Sequence, residues 1–196
     1  MKTVLLRSFL LLVFLGVVPL SCCRQATRDY TYLKDLDLQL TDAAGTPLTS
    51  GARTSAAELR ATLHFRLDYI AQQPLGAPFA GQALALQCAD EGMKGLKSAV
   101  TEVVLTSTGL FNGQAAGQSL NAFVRCSTTG NPAEFPLSQL VDSLNTKTWQ
   151  LTQLYAPLVL RISPKPTDNA RQQFQVRVRL ANASELTQRT PDIIWN

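Results

Sequence analysis

The chain has 196 residues, with 18 basic against 14 acidic side chains, one histidine and four cysteines, and 45% of it is hydrophobic. That is enough for one domain with its own core, with no need of a metal or disulfide staple to fold. It lacks the clustered Lys/Arg stripe of a nucleic-acid binder, and with no CxxC and His64 as its only histidine it offers no zinc site.

The N-terminus has an export layout. Lys2 and Arg7 precede an uninterrupted apolar run from Phe9 to Leu20, followed at once by Ser21, Cys22 and Cys23. The run suits a signal peptide and is too short to cross a bilayer as a mature helix. Residues 1–21 are therefore expected to be a signal peptide. The small residue before Cys22 resembles a lipobox, where bacterial processing acylates a cysteine and cleaves before it. Pro19 departs from that pattern, which carries an aliphatic residue three places before the cysteine. The competing expectation is ordinary secretion, with cleavage after Cys23. Loss of the leader leaves 16 basic against 14 acidic residues, a net charge of +2.

Residues 22–34 read as a lipidated N-terminus and polar tether, and residues 35–196 as a single domain. Leu36, Leu38 and Leu40 alternate with Asp35, Asp37 and Gln39, the period-two pattern of a half-buried strand; Asp42 to Pro47 then turn the chain. In Glu58–Ala71 one face carries Leu63, Phe65, Leu67 and Tyr69, the other Thr62, His64, Arg66 and Asp68. Further strands are expected at Gln82–Cys88 and Ala99–Thr106. Ser107–Ser119 is a long glycine-rich loop, and loops of that length inside a compact domain tend to be functional or mobile. Leu120–Cys126 fits either a short helix or a strand. Leu137, Leu140, Val141 and Leu144 follow i, i+3, i+4, i+7, with Pro136 suited to the first turn of a helix. Strands follow at Pro157–Ile162 and at Phe174–Leu180. Asn182-Ala-Ser184 turns the chain towards a last strand ending near Trp195, with Pro191 at an edge position. Seven or eight strands separated by turns predict a mainly β fold, an antiparallel β-sandwich of immunoglobulin-like layering with one or two short helices.

Few residues point to chemistry. No G-x-S-x-G surrounds any serine, and His64 lies on the polar face of its strand. Asp35 and Asp37 share a strand face about 6.6 Å apart, a spacing that serves an inverting hydrolase and equally the wet side of a sheet. Outside the cytosol Cys88 and Cys126 form the natural disulfide, with Cys23 left over; two buried thiols is the alternative. Trp149, Tyr155 and Trp195 read as core, while Tyr30 and Tyr32 cover the start of the first strand. In the glycine-rich loop, Phe111 with its neighbour Asn112 is either a binding anchor or a pin holding the loop to the body. No cofactor motif is present.

With its leader, the SCC at its end, DYTYLKDLDLQLTDAAGTPL, QCADEGMKGLKSAVTEVVLTS and the terminal TPDIIW, the chain resembles small uncharacterised lipoproteins of Gram-negative bacteria built around a β-rich domain of unknown function. The resemblance implies export, lipidation and a β-rich body, and carries over no active-site residues. The expectation is a non-enzymatic binding or accessory module on the periplasmic side of the cell envelope, with envelope proteins or glycans as partners. The alternatives are a carbohydrate-binding or adhesin module using the 107–119 loop, and a hydrolase using Asp35 and Asp37.

Overall fold

The structure, a computed structural model, describes residues 30–70, 92, 94–128, 131–146 and 157–196. The expected strand at Gln82–Cys88, together with Cys22, Cys23, Cys88, Trp149 and Tyr155, lies outside the described residues.

Five strands form the larger sheet. Strand β1 (Tyr30–Thr41) pairs antiparallel with β3 (Leu59–Ile70), and β3 with β7 (Leu158–Ile162). Next to β7 come β5 (Val124–Thr128) and β6 (Asn131–Pro136), giving the order β1-β3-β7-β5-β6. A second antiparallel sheet orders β10 (Glu185–Arg189), β9 (Phe174–Leu180) and β4 (Val100–Ser107). The apolar faces of both sheets meet in one core, with Leu36, Leu38, Leu40 and Leu63 on one side and Val103, Leu105, Val176 and Val178 on the other. The expected antiparallel β-sandwich is what these residues build, because strict alternation leaves each sheet one apolar face that must be covered.

The second sheet's open edge is closed by side chains. Asn145 accepts from the Val100 N–H at 2.9 Å and donates to the Val100 carbonyl at 2.8 Å. Asn121 does the same for the Leu105 N–H and the Val103 carbonyl, both at 3.0 Å. Main-chain N–H groups of Leu120 and Gly117 reach the Leu105 and Ser107 carbonyls. A primary amide presents one acceptor and one donor side by side, as a neighbouring strand does, so two asparagines blunt an edge that would otherwise template association. Asn145 is placed by helix α1 (Leu137–Leu144), whose Leu137, Leu140 and Leu144 are buried. Asn121 belongs to a single 3-10 turn at Asn121–Phe123.

Several expectations change. β1 begins at Tyr30, so residues 30–34 are strand and not the end of a tether; Thr31 and Leu33 are buried. The register shifts between Leu33 and Asp35, and both Lys34 and Asp35 face outward. This β-bulge breaks the alternation, so the apolar pattern traced back from Leu36 stops one step too soon. Leu120–Cys126 is both things in turn, the 3-10 turn and then β5. Pro136 ends β6 and caps α1 with an extended backbone at φ −69° and ψ 150°, just outside the helix. The last strand is two strands. Thr190–Asp192 separate β10 from β11 (Ile193–Trp195), which lies between β2 (Ala52–Thr54) and β8 (Arg171–Gln172) and pairs parallel with β2. That parallel pair departs from an all-antiparallel arrangement.

Candidate functional site

The long loop after β4 lies at one end of the sandwich, beside the loop 163–170 that follows β7. β1 enters at the other end. Ile162 pairs with Leu59, at the Thr41 end of the β1–β3 ladder, so both loops sit opposite Tyr30. Eleven strand steps at about 3.3 Å separate the two ends of β1 by roughly 36 Å.

Phe111 decides how the loop is held. It is fully buried and packs against Phe123, Phe174 and Trp195, with ring centroids 5.4, 6.1 and 6.1 Å away. Phe174 and Trp195 close the cluster at 6.3 Å. Of the two readings of Phe111, the pin holds; a ring with no exposed face cannot stack on a ligand at the surface. The loop pays for its length with this anchor, which draws on three separate parts of the chain.

Asn112 is a clasp between loops. At φ 46°, its Oδ1 accepts from the Thr167 N–H at 3.0 Å and from the Thr167 hydroxyl at 3.3 Å. Its Nδ2 lies 3.5 Å from the carbonyls of Pro164 and Lys165. The next N–H, of Gly113, donates to Asp168 Oδ2 at 2.7 Å. That bond, with weaker help from neighbouring N–H groups, holds the Asp168 carboxyl below the usual carboxylate range. Beneath them Gln172, fully buried, gives its Nε2 protons to the carbonyls of Leu110 at 2.8 Å and Asn169 at 2.7 Å, and accepts from the Ser107 hydroxyl at 2.5 Å. Gly109 makes the approach possible: a Cβ there would meet Asn169 Nδ2 at 2.3 Å and the Arg171 carbonyl at 2.7 Å. What remains outside this framework is Leu110, 43% exposed, and the exposed run 113–119 of glycine, alanine, glutamine and serine. The arrangement is a braced platform whose outer face is small and amide-rich.

The other candidates stand apart from it. Asp35 and Asp37 are exposed on the outer face of β1. Asp35 Oδ1 accepts from the Leu36 N–H at 2.8 Å, and Asp37 lies 3.8 Å from Arg66. His64 sits across from Asp37 in the ladder. Cys126 is a buried free thiol, pushed up to about 12 by desolvation; Cys88, its expected partner, is outside the described residues. Among the described residues no group of three or more His, Cys, Asp and Glu side chains could hold a metal ion, and no helix is long and apolar enough to cross a membrane.

Two features were not foreseen from sequence. Gln172 gave no signal, since it follows an arginine in a two-residue strand. The second is a row of arginines on the larger sheet, where Arg60 and Arg125 both pair in register with Arg161. Arg161 takes Glu134 with two bonds, at 2.7 and 2.6 Å, and Glu58 at 3.2 Å. Glu134 is held below the ordinary carboxylate range chiefly by Arg161, and Arg161 is raised chiefly by Glu134. A bidentate fork of this kind offsets the repulsion among three cations on adjacent strands.

A scan against protein-family models matches none of them, and a search of the curated proteins finds no significant match.

Proposed function

We propose that this protein is an exported lipoprotein, anchored through acylated Cys22, whose β-sandwich holds a braced loop platform away from the membrane as a binding or accessory surface. The observation that carries this reading is the placement of the two ends. The chain that would bear the lipid joins the fold at Tyr30, and the braced loops lie at the far end of the same strand, roughly 36 Å on. Cys22 is eight residues before Tyr30, so covalent geometry limits their separation to about 29 Å. A multiply acylated cysteine provides stable anchoring without any protein contact.

Rigidity at the far end suits recognition. A surface already ordered loses less entropy when it is bound, and Phe111, Asn112 and Gln172 supply that order from beneath. The partner in this reading is a protein or glycan of the envelope, met by Leu110 and the amides of residues 113–119.

The test is the intact mass of the protein extracted from membranes of its host, beside a Cys22→Ala version. The reading expects a chain beginning at Cys22 with diacyl or triacyl mass, absent from the variant. A chain cleaved after Cys23, without added mass and soluble, would overturn it.

A further inference from the structure

The chain contains a single Asn-Gly step, Asn112-Gly113, and the fold places it at the tip of a two-residue hairpin. Phe111 and Gln114 exchange both backbone bonds, at 3.0 and 2.9 Å, and the two residues between them have φ 46° and 83°. Positive φ at both central positions is the type I′ turn, which strongly favours Asn-Gly. The pair therefore has a structural reason to stand there. It also has a chemistry of its own.

An asparagine before glycine is open to attack by the backbone that follows it. Loss of the Gly113 N–H proton to base leaves a nitrogen that can add to Asn112 Cγ. A C–N bond forms, the Cγ–Nδ2 bond breaks, and Nδ2 takes up a proton and leaves as ammonia. Water opens the resulting cyclic imide at either carbonyl, giving aspartate or, with the chain rerouted through Cγ, isoaspartate. Overall, one amide and one water become one carboxyl group and one ammonia. Glycine is the favourable follower because no Cβ crowds its nitrogen.

The loop clasp sets a bond against each part of that reaction. The proton that must leave Gly113 is given to Asp168 Oδ2 at 2.7 Å, and the charge of the accepting carboxylate makes its loss to base harder. The side-chain carbonyl that must turn towards Gly113 has its Oδ1 taken by the Thr167 N–H at 3.0 Å and the Thr167 hydroxyl at 3.3 Å. The departing Nδ2 faces the Pro164 and Lys165 carbonyls at 3.5 Å. Gly113, Thr167 and Asp168 are all exposed, so the clasp can open to water while Phe111 and Gln172 stay buried beneath it.

We propose that Asn112-Gly113 is a self-modification site gated by the Asp168 clasp, converting once and irreversibly to aspartate or isoaspartate when the two loops part. The product holds the loops apart. A carboxylate at position 112 meets Asp168 with like charge and has no amide protons for the Pro164 and Lys165 carbonyls. Isoaspartate also lengthens the backbone of a turn that fits two ordinary residues. The outer contact between the loops thus has a limited lifetime, and the buried pin does not. The inference concerns the loop end alone and stands whether or not Cys22 is acylated.

The experiment ages the purified full chain in warm, mildly alkaline buffer and follows every asparagine by peptide mass spectrometry, with electron-transfer fragmentation to separate aspartate from isoaspartate. Asn112 is expected to convert ahead of the other asparagines, at least about tenfold more slowly in the native protein than in urea. Asp168→Ala should raise the native rate at least about threefold and leave the rate in urea unchanged. Asp168→Asn keeps the shape of the side chain and should raise the native rate by less, which guards against a folding defect in the alanine variant. Aged protein should exchange its amides faster across residues 108–119, as should Asn112→Asp. Conversion of another asparagine first would overturn the site. Equal rates in the native and unfolded chain, or folded Asp168 variants that convert no faster than the unaltered protein, would overturn the gate.

Discussion

At the loop end of the sandwich Phe111, Gln172 and Trp195 are fully buried and the loops are tied to one another, whereas at the entry end the exposed Lys94 and Lys97 lie against the half-buried ring of Tyr30. The first set gains from desolvation: apolar rings leave water, and Gln172 has bonds on both its nitrogen and its oxygen. The second set stays hydrated, so its cation–π contacts are worth only about 0.5–1 kcal/mol each. The loop end is therefore held by its core, and the entry end by weaker surface contacts. Burial makes the difference between them.

Removing the pin should separate the ends most sharply. Phe111→Ala leaves a hole among Phe123, Phe174 and Trp195 and should cost about 3–5 kcal/mol in urea unfolding. A loss below about 1 kcal/mol would mean the loop is not held there. Gln172→Leu comes next. It keeps the size of the side chain but removes the Gln172 donors from the Leu110 and Asn169 carbonyls and the acceptor from the Ser107 hydroxyl proton, an expected loss of about 1–3 kcal/mol with faster amide exchange across residues 108–119.

The Cys126 thiol gives a kinetic measure of the same core. With its ionisation pushed up to about 12, it should resist thiol reagents at pH 8 in the native protein and react on unfolding, as read on its own peptide by mass spectrometry. Rapid native labelling would place it nearer water than the fold allows.

Acid should loosen the outer clasp while the pin holds. Asp168 is held below its ordinary range by the Gly113 N–H, so the folded state binds its proton more weakly than the unfolded chain. Its contribution is present in full above the unfolded carboxylate range and is lost as pH falls through the lower folded value. Amide exchange at Gly113, corrected for intrinsic pH dependence, should rise over that interval, and Asp168→Asn should flatten the profile. The smallest effect is at the entry end, where Lys97→Ala should change unfolding stability by less than about 1 kcal/mol.

Much of the fold was legible because the long strands bury one face. Leu36 to Leu40, Leu63 to Leu67 and Phe174 to Leu180 state their alternation locally, and Leu137 to Leu144 state a helical one. The pairing of β11 with β2 and β8 was not legible, since Ala52–Thr54 and Arg171–Gln172 are too short to show a period and are brought together only by the tertiary fold. At the loop end Phe111 was visible as a residue in need of explanation, but whether it faced in or out depended on Phe123, Phe174 and Trp195, each distant or displaced by a turn. Gln172 was invisible for a related reason: its partners are two backbone carbonyls and a serine supplied by other loops. At the entry end Tyr30 and Tyr32 read as tether residues covering the start of the first strand, whereas they belong to β1, and the lysines that reach Tyr30 come from more than sixty positions later.

The proposed placement of the loop platform away from the membrane is the central claim, and its direct test is a depth measurement on protein whose mass shows the acyl chains. A fluorescent amino acid would be incorporated at Ala116 in the loop platform or at Ala99 near the entry end, both exposed, and quenched from lipid headgroups in anionic vesicles. The account expects strong quenching at Ala99 and almost none at Ala116, which lies beside Ser107 at the far end of β4, roughly 26 Å from Ala99. Equal quenching at the two positions, or stronger quenching at Ala116, would contradict it.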